Sequence, residues 1–112
     1  MHELGITRNI VAIVSDAAAG RRVRRVTLEV GKLACVMPGS IAFCFDALSQ
    51  GTALEGARLE IREIEGRARC LDCGAEFATE TLFTPCACGS HHLLRLAGEE
   101  LTVKSMELAE AA

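Results

Sequence analysis

The sequence predicts an α+β fold: a small three-stranded sheet with two helices, into which a cysteine-bearing ribbon is inserted. Three observations predict it. Two segments carry apolar residues at helical spacing, three others alternate apolar and polar residues at strand spacing, and four cysteines crowd between residues 70 and 88.

The first helix is expected over residues 4–19, with Ile6, Ile10, Ile13 or Val14, and Ala17 on its apolar face and Gly20 as its C-cap. Val26, Leu28 and Val30 then alternate with Thr27 and Glu29 in a strand closed by Gly31. Pro38-Gly39-Ser40 breaks the chain before a second helix, Ile41 to Ser49. Gly51 and Gly56 bracket a turn into a further strand, where Ala57, Leu59 and Ile61 alternate with Arg58, Glu60 and Arg62. The final strand, Leu101 to Leu108, places Leu101 and Val103 inward. It is too short and too apolar to stand alone, so it is expected to pair with the earlier strands. The cysteine segment then becomes an insertion, with Gly66 and Gly98 as its hinges. The expected division is an α/β domain of residues 1–66 and 98–112 and a ribbon domain of residues 67–97.

A chain of 112 residues can bury one modest core, or one core and a satellite that needs outside help. With no tryptophan or tyrosine and four phenylalanines, that core is built from Leu, Val, Ile and Ala. A net charge of -3 argues against a nucleic-acid binder that relies on bulk attraction to phosphates. No apolar run approaches the roughly 20 residues of a membrane span. The start of the chain has no basic segment followed by an apolar stretch, so a cytoplasmic location is expected, where thiols stay reduced and bind metal.

Cys70-x2-Cys73 and Cys86-x-Cys88 are two chelating knuckles at the separation of a short ribbon folded around one tetrahedral ion, and a set of four thiolates suits zinc. Between Cys70 and Leu96 the larger apolar residues are Leu71, Phe77, Leu82, Phe83, Leu93, Leu94 and Leu96, too few to order the segment alone, so the metal serves as a staple. A closed four-sulfur shell leaves no position for substrate, which makes the site structural. Gly74 and Gly89 follow the knuckles, where backbone N–H groups turn toward the sulfurs. Two alternatives stand beside this reading: a redox dithiol at Cys70 and Cys73, and replacement of one thiolate by His91 or His92. Cys35 and Cys44 read as buried thiols. Arg21, Arg22, Arg24 and Arg25 read as a solvated edge that discourages sheet pairing, with a docking patch for an acidic partner as the alternative.

His2 sits beside the α-amine. The Met1 amine, the His2 amide nitrogen and the His2 imidazole can close fused chelate rings around one ion, a nitrogen-rich set that suits Ni(II) or Cu(II). Glu3 is one source of a fourth donor. The alternative is a frayed terminus without function, and these residues alone favour it.

The chain as a whole resembles the HypA family of nickel metallochaperones for [NiFe]-hydrogenase maturation. The resemblance rests on Met1-His2-Glu3-Leu4-Gly5-Ile6 opening a helix, the Gly31-Lys32-Leu33 turn, Phe43-Cys44-Phe45-Asp46-Ala47-Leu48, the cysteine ribbon and the closing Val103-Lys104-Ser105-Met106-Glu107. It implies a non-enzymatic carrier with transferable nickel on Met1 and His2, with Glu3 contributing to binding or orientation. Structural zinc would sit on Cys70, Cys73, Cys86 and Cys88. It further implies a HypB-type GTPase and the hydrogenase large subunit as partners, with urease served in some organisms, no nucleic acid or membrane, and a monomer or homodimer. The second knuckle departs from the family's common C-x2-C, since Cys86 and Cys88 stand one residue closer. The rival reading is a zinc-ribbon protein- or nucleic-acid-binding module without nickel function.

Overall fold

A computed structural model of the chain describes residues 2–110. It has two helices and two three-stranded sheets, in the order α1 (Glu3–Ala18), β1 (Val23–Gly31), α2 (Pro38–Ser49), β2 (Arg58–Ile64), β3 (Gly66–Cys70), β4 (Glu76–Thr79), β5 (Leu93–Ala97) and β6 (Leu101–Leu108). The first sheet has the order β2-β1-β6, with β2 parallel and β6 antiparallel to the central β1. The second has the order β4-β3-β5 and is antiparallel throughout. The last strand does pair with β1, and the cysteine segment is inserted between two strands of one sheet. A radius of gyration of 17.4 Å exceeds the roughly 13 Å of a single compact body of this length, so the molecule is elongated.

The core lies in the first sheet. Ile10, Val11, Val14 and Ala18 of α1 and Ile41 and Phe45 of α2 pack with Val23, Val26, Leu28 and Val30 of β1 and with Leu54. Each of the Val, Leu, Ile and Phe side chains, fully buried, contributes about 1.5–3 kcal/mol. The apolar face of α1 is the expected one through Ile6, Ile10 and Val14, with Val14 rather than Ile13 inward, and it departs only in its last turn, where Ala18 is buried and Ala17 exposed. A period of 3.6 residues leaves neighbouring positions ambiguous until β1 selects one of them. The C-cap is Ala19, left-handed at φ 52, one residue before Gly20. Pro38 opens α2, because a proline fits the first helical turn, where its missing N–H has no partner to lose.

In β6 the expected alternation fails. Val103 packs on the core with Met106 and Leu108, while Leu101 is 36% exposed. Thr27 faces Ser105 and Leu28 faces Val103, so Lys104 is an extra residue, and this bulge shifts the phase of the strand.

Gly66 and Gly98 stand where the chain leaves and re-enters the first sheet, but as contact points rather than open hinges. A methyl group at Gly31 would lie 1.9 Å from the Gly98 carbonyl oxygen, one at Gly98 2.7 Å from the Gly66 Cα, and one at Gly66 2.4 Å from the Thr79 carbonyl oxygen. The two crossings therefore pack backbone against backbone, joined by the Leu33 N–H donating to Gly98 at 2.7 Å and the Lys32 N–H donating to Ile64 at 2.9 Å.

Candidate metal centres

The second sheet has almost no apolar core. Its buried residues are Gly66, Ala68, Cys70, Thr79 and, in the following loop, Cys86, whereas Leu71, Leu82, Phe83, Leu94 and Leu96 are exposed. The hydrophobic residues of the ribbon thus cannot supply the order that its strands show.

The four cysteines can. The Sγ atoms of Cys70, Cys73, Cys86 and Cys88 all lie within 4.8 Å of one another. Cys70 is 3.7 Å from Cys88 and Cys73 is 3.5 Å from Cys86, so these contacts run between the knuckles. A tetrahedron of sulfurs at a Zn–S distance of about 2.3 Å has edges of roughly 3.8 Å, so the two cross-knuckle contacts match a zinc site and the set as a whole is compatible with one. The shortened Cys86-x-Cys88 loop closes with its own backbone bonds: the Gly89 N–H donates to the Cys86 carbonyl at 2.8 Å and the Cys86 N–H to the Ser90 carbonyl at 2.9 Å. In the first knuckle it is the Cys73 N–H that donates to the Cys70 sulfur, at 3.4 Å. The Gly74 N–H, expected to face sulfur, bonds the Cys70 carbonyl at 2.9 Å, as the Gly89 N–H does that of Cys86.

The thiols are electrostatically unequal. The Cys73 N–H lowers the Cys70 thiol most; burial opposes it, and the Asp72 N–H and the neighbouring thiols help bring it down to about 6. The Cys88 N–H also lowers Cys86, but burial and the three surrounding thiols outweigh that bond and push it up to about 12. Cys88 is raised as well: the Ser90 N–H and Cys86 lower it, and Cys70, burial and Cys73 prevail. A bound cation would relieve this crowding by displacing the protons.

His91 and His92 are exposed and belong to no donor cluster with the cysteines among the described residues. Instead, the two knuckles are tied by side chains that spacing alone did not single out. The Ser90 hydroxyl donates to the Asp72 carboxylate, the His92 N–H donates to Ser90 Oγ at 3.0 Å, and the His92 imidazole lies 3.7 Å from Asp72. The basic residues of the ribbon are partly neutralised, Arg69 by Glu76 at 3.2 Å and Arg95 by Glu99 at 3.1 Å.

At the start of the chain, Met1 lies outside the described residues. His2 is exposed and adopts the left-handed region at φ 64, as the N-cap of α1. Its imidazole makes no capping bond, so its nitrogens are not spent on the helix. The Glu3 carboxylate accepts the Met37 N–H at 3.1 Å. Met37 is the N-cap of α2, so Glu3 ties the start of one helix to the start of the other. Between them opens a cleft of about 580 Å³, lined among others by His2, Glu3, Met37, Phe43 and Cys44. Cys44 is half-buried there, and Cys35, left-handed at φ 60, is exposed rather than buried.

Comparison with known proteins bears on both centres. The model of the family described as "Hydrogenase/urease nickel incorporation, metallochaperone, hypA" matches residues 1–108. A hydrogenase maturation factor HypA of Nostoc sp. is 59% identical, the match covering 98% of this chain and 97% of that protein. One from Geobacter metallireducens is 49% identical over 96% of this chain and 99% of its own length. The solution structure of the Ni metallochaperone HypA from Helicobacter pylori shares the fold at a TM-score of 0.68 and 19% identity, covering 96% of this chain and 97% of that one. Another solution structure, of a HypA protein, gives 0.73 at 21% identity with 97% of each chain covered.

Proposed function

The chain belongs to the HypA family of nickel-incorporation metallochaperones that serve hydrogenase, and on that premise we propose that it carries Ni(II) at its N-terminus and structural zinc in its ribbon. Nickel is the cargo. The Met1 amine and the His2 amide and imidazole nitrogens are its donors, with the ion held at the mouth of the cleft between α1 and α2. The observation that carries this reading is the exposed, uncapped His2 at the start of α1. A carrier must release its ion, and a shallow nitrogen set on the surface allows exchange that a buried sulfur cage opposes. The bond from Met37 supports an orienting role for Glu3, which fixes the first turn of α1 against α2. The reading needs a free α-amine at Met1.

Cys70, Cys73, Cys86 and Cys88 would hold zinc, which when bound closes the ribbon and offers no open coordination position. The protein then acts as a carrier and not as an enzyme. Residues 1–66 with 98–112 form the nickel domain and residues 67–97 the zinc domain in this scheme. Delivery runs through a HypB-type GTPase to the hydrogenase large subunit, in the cytoplasm. The acid–base pairing of Arg69 and Arg95 disfavours the rival nucleic-acid module.

Nickel titration tests the proposal. Zinc-loaded wild-type protein is compared with His2→Ala and with protein extended by residues before Met1. Both variants should lose nickel binding while keeping their zinc; undiminished nickel binding by either one refutes the site.

A further inference from the structure

The arginines at the rim of the first sheet are not spread evenly along a solvated edge. In the pairing of β1 with β6, Val23 faces Leu108 and Arg25 faces Glu107, so Arg24 is an extra residue in β1. Bulges of this kind re-aim a side chain. Here the bulge lets two consecutive residues, which an unbroken strand would send to opposite faces, grip the same carboxylate: Arg24 pairs with Glu107, and Arg25 pairs with it at 2.7 Å. On the other side, the parallel register sets Arg25 directly against Arg58 of β2. Like charges at facing positions cost stability unless anions separate them. Glu60 is 3.7 Å from Arg25 but also 3.9 Å from Arg62. Arg58 has no ion-pair partner among the described residues.

Arg24, Arg25, Arg58 and Gly56 together line a cleft of about 390 Å³. Gly56 is left-handed at φ 78, and a Cβ there would meet open space, so the glycine floor leaves backbone accessible to a ligand. The arrangement is a set of three guanidiniums with one carboxylate, Glu107, already seated between two of them. We propose that this cleft is a docking site for an acidic peptide segment of a partner protein, one carboxylate of which takes the unpaired Arg58 fork. Glu107 shows the chemistry the forks accept: a carboxylate between planar guanidiniums, which match it in bidentate fashion. No aromatic or aliphatic side chain lines the cleft, so the contacts it offers are the charged and hydrogen-bonding ones of its guanidiniums. The site involves no residue of either proposed metal centre, and it stands or falls independently of them.

The probe is a fluorescent acetylated hexaglutamate peptide, titrated by anisotropy against full-length zinc-loaded protein. Binding should weaken steeply as salt rises from about 50 to about 200 mM, because the contacts are exposed and screened. Arg58→Glu should weaken it about tenfold, and Arg58→Lys by less, since a lysine keeps the charge and loses the fork. Arg8→Glu makes the same change of net charge on an exposed position of α1 and should leave binding intact. Circular dichroism and zinc content confirm that the variants fold. Equal binding by wild type and Arg58→Glu overturns the proposal. So does equal loss in Arg8→Glu, or binding of inorganic triphosphate with none of the peptide.

Discussion

The two sheets of this molecule have the same number of strands and opposite means of support. The first closes on α1 and α2 around Val14, Leu28, Ile41 and Leu54, all nearly inaccessible to water. The second buries Ala68, Thr79 and two cysteines, and leaves Leu71, Leu82, Phe83, Leu94 and Leu96 at the surface. What an apolar core does for one, four sulfurs must do for the other. The difference extends to the proposed metals. In the proposed scheme zinc would lie where few apolar residues are buried, and the labile ion would lie at the start of a helix packed on the core.

The most severe test of that contrast is removal of zinc by chelation or by Cys73→Ser. Cys73 is exposed, so the substitution removes a ligand without opening a cavity. The ribbon should lose its order altogether, with loss of dispersed amide resonances for residues 67–97, while those of α1, β1 and α2 persist. A ribbon that stays folded without zinc would refute the staple. Melting of both sheets would show instead that the packed Gly31–Gly66–Gly98 junction couples them into one cooperative unit.

Acid should separate the two regions more gradually. Cys86 and Cys88 are held above the usual thiol range in the metal-free ribbon, so zinc must displace at least about two protons near pH 7. Apparent zinc affinity should then fall at least about a hundredfold per pH unit on acidification. Cys70 is depressed to about 6: its thiolate favours the folded ribbon above the unfolded thiol range, and that contribution is lost as pH falls through about 6. The slope should therefore steepen below that point. Competition with a chromophoric chelator across this range measures it. A slope of one proton or fewer would contradict the crowded-thiol picture, and the first sheet, whose core contains no titrating group, should stay folded throughout.

These regions were also unequally legible in the sequence. The cysteine set was readable because a ligand set is declared by residue type and spacing, whatever the path of the chain between them. The strands of the first sheet were readable from Val26, Leu28 and Val30. What escaped were features fixed by contact. The choice of Val14 over Ile13 depends on where β1 lies, and the exposure of Leu101 depends on a bulge at Lys104. Glycines at 66 and 98 suggested freedom, but backbone contact is the reason for them. Arg24 and Arg25 looked like a charged edge because their common partner, Glu107, is more than eighty residues away in sequence. Asp72 and Ser90 carried no signal beyond lying within one knuckle and just after the other, and only the folded ribbon brings them together.

That last pair provides the finest test of how the ribbon is held. Asp72 lies within the first knuckle and Ser90 just after the second, so their hydrogen bond ties the two loops by a route that bypasses the metal. The Ser90 carbonyl also accepts the Cys86 N–H, which places the shortened loop directly on this bond. If the four sulfurs alone determine the geometry, Asp72→Ala should change nothing but a surface charge. If the side-chain bond helps hold Cys86 and Cys88 at the spacing of a tetrahedron, its loss leaves all four ligands present but less well ordered before the ion arrives. Outer partners of metal ligands commonly alter affinity by about 10–100-fold, and this exposed one should fall at or below the low end. The expected result is zinc release a few-fold faster, about 1 kcal/mol, with one zinc per chain still bound at saturation. Asp72→Asn, which retains an acceptor for the Ser90 hydroxyl, should recover most of the difference. Equal release rates for all three proteins would assign the ribbon's order to the sulfurs alone.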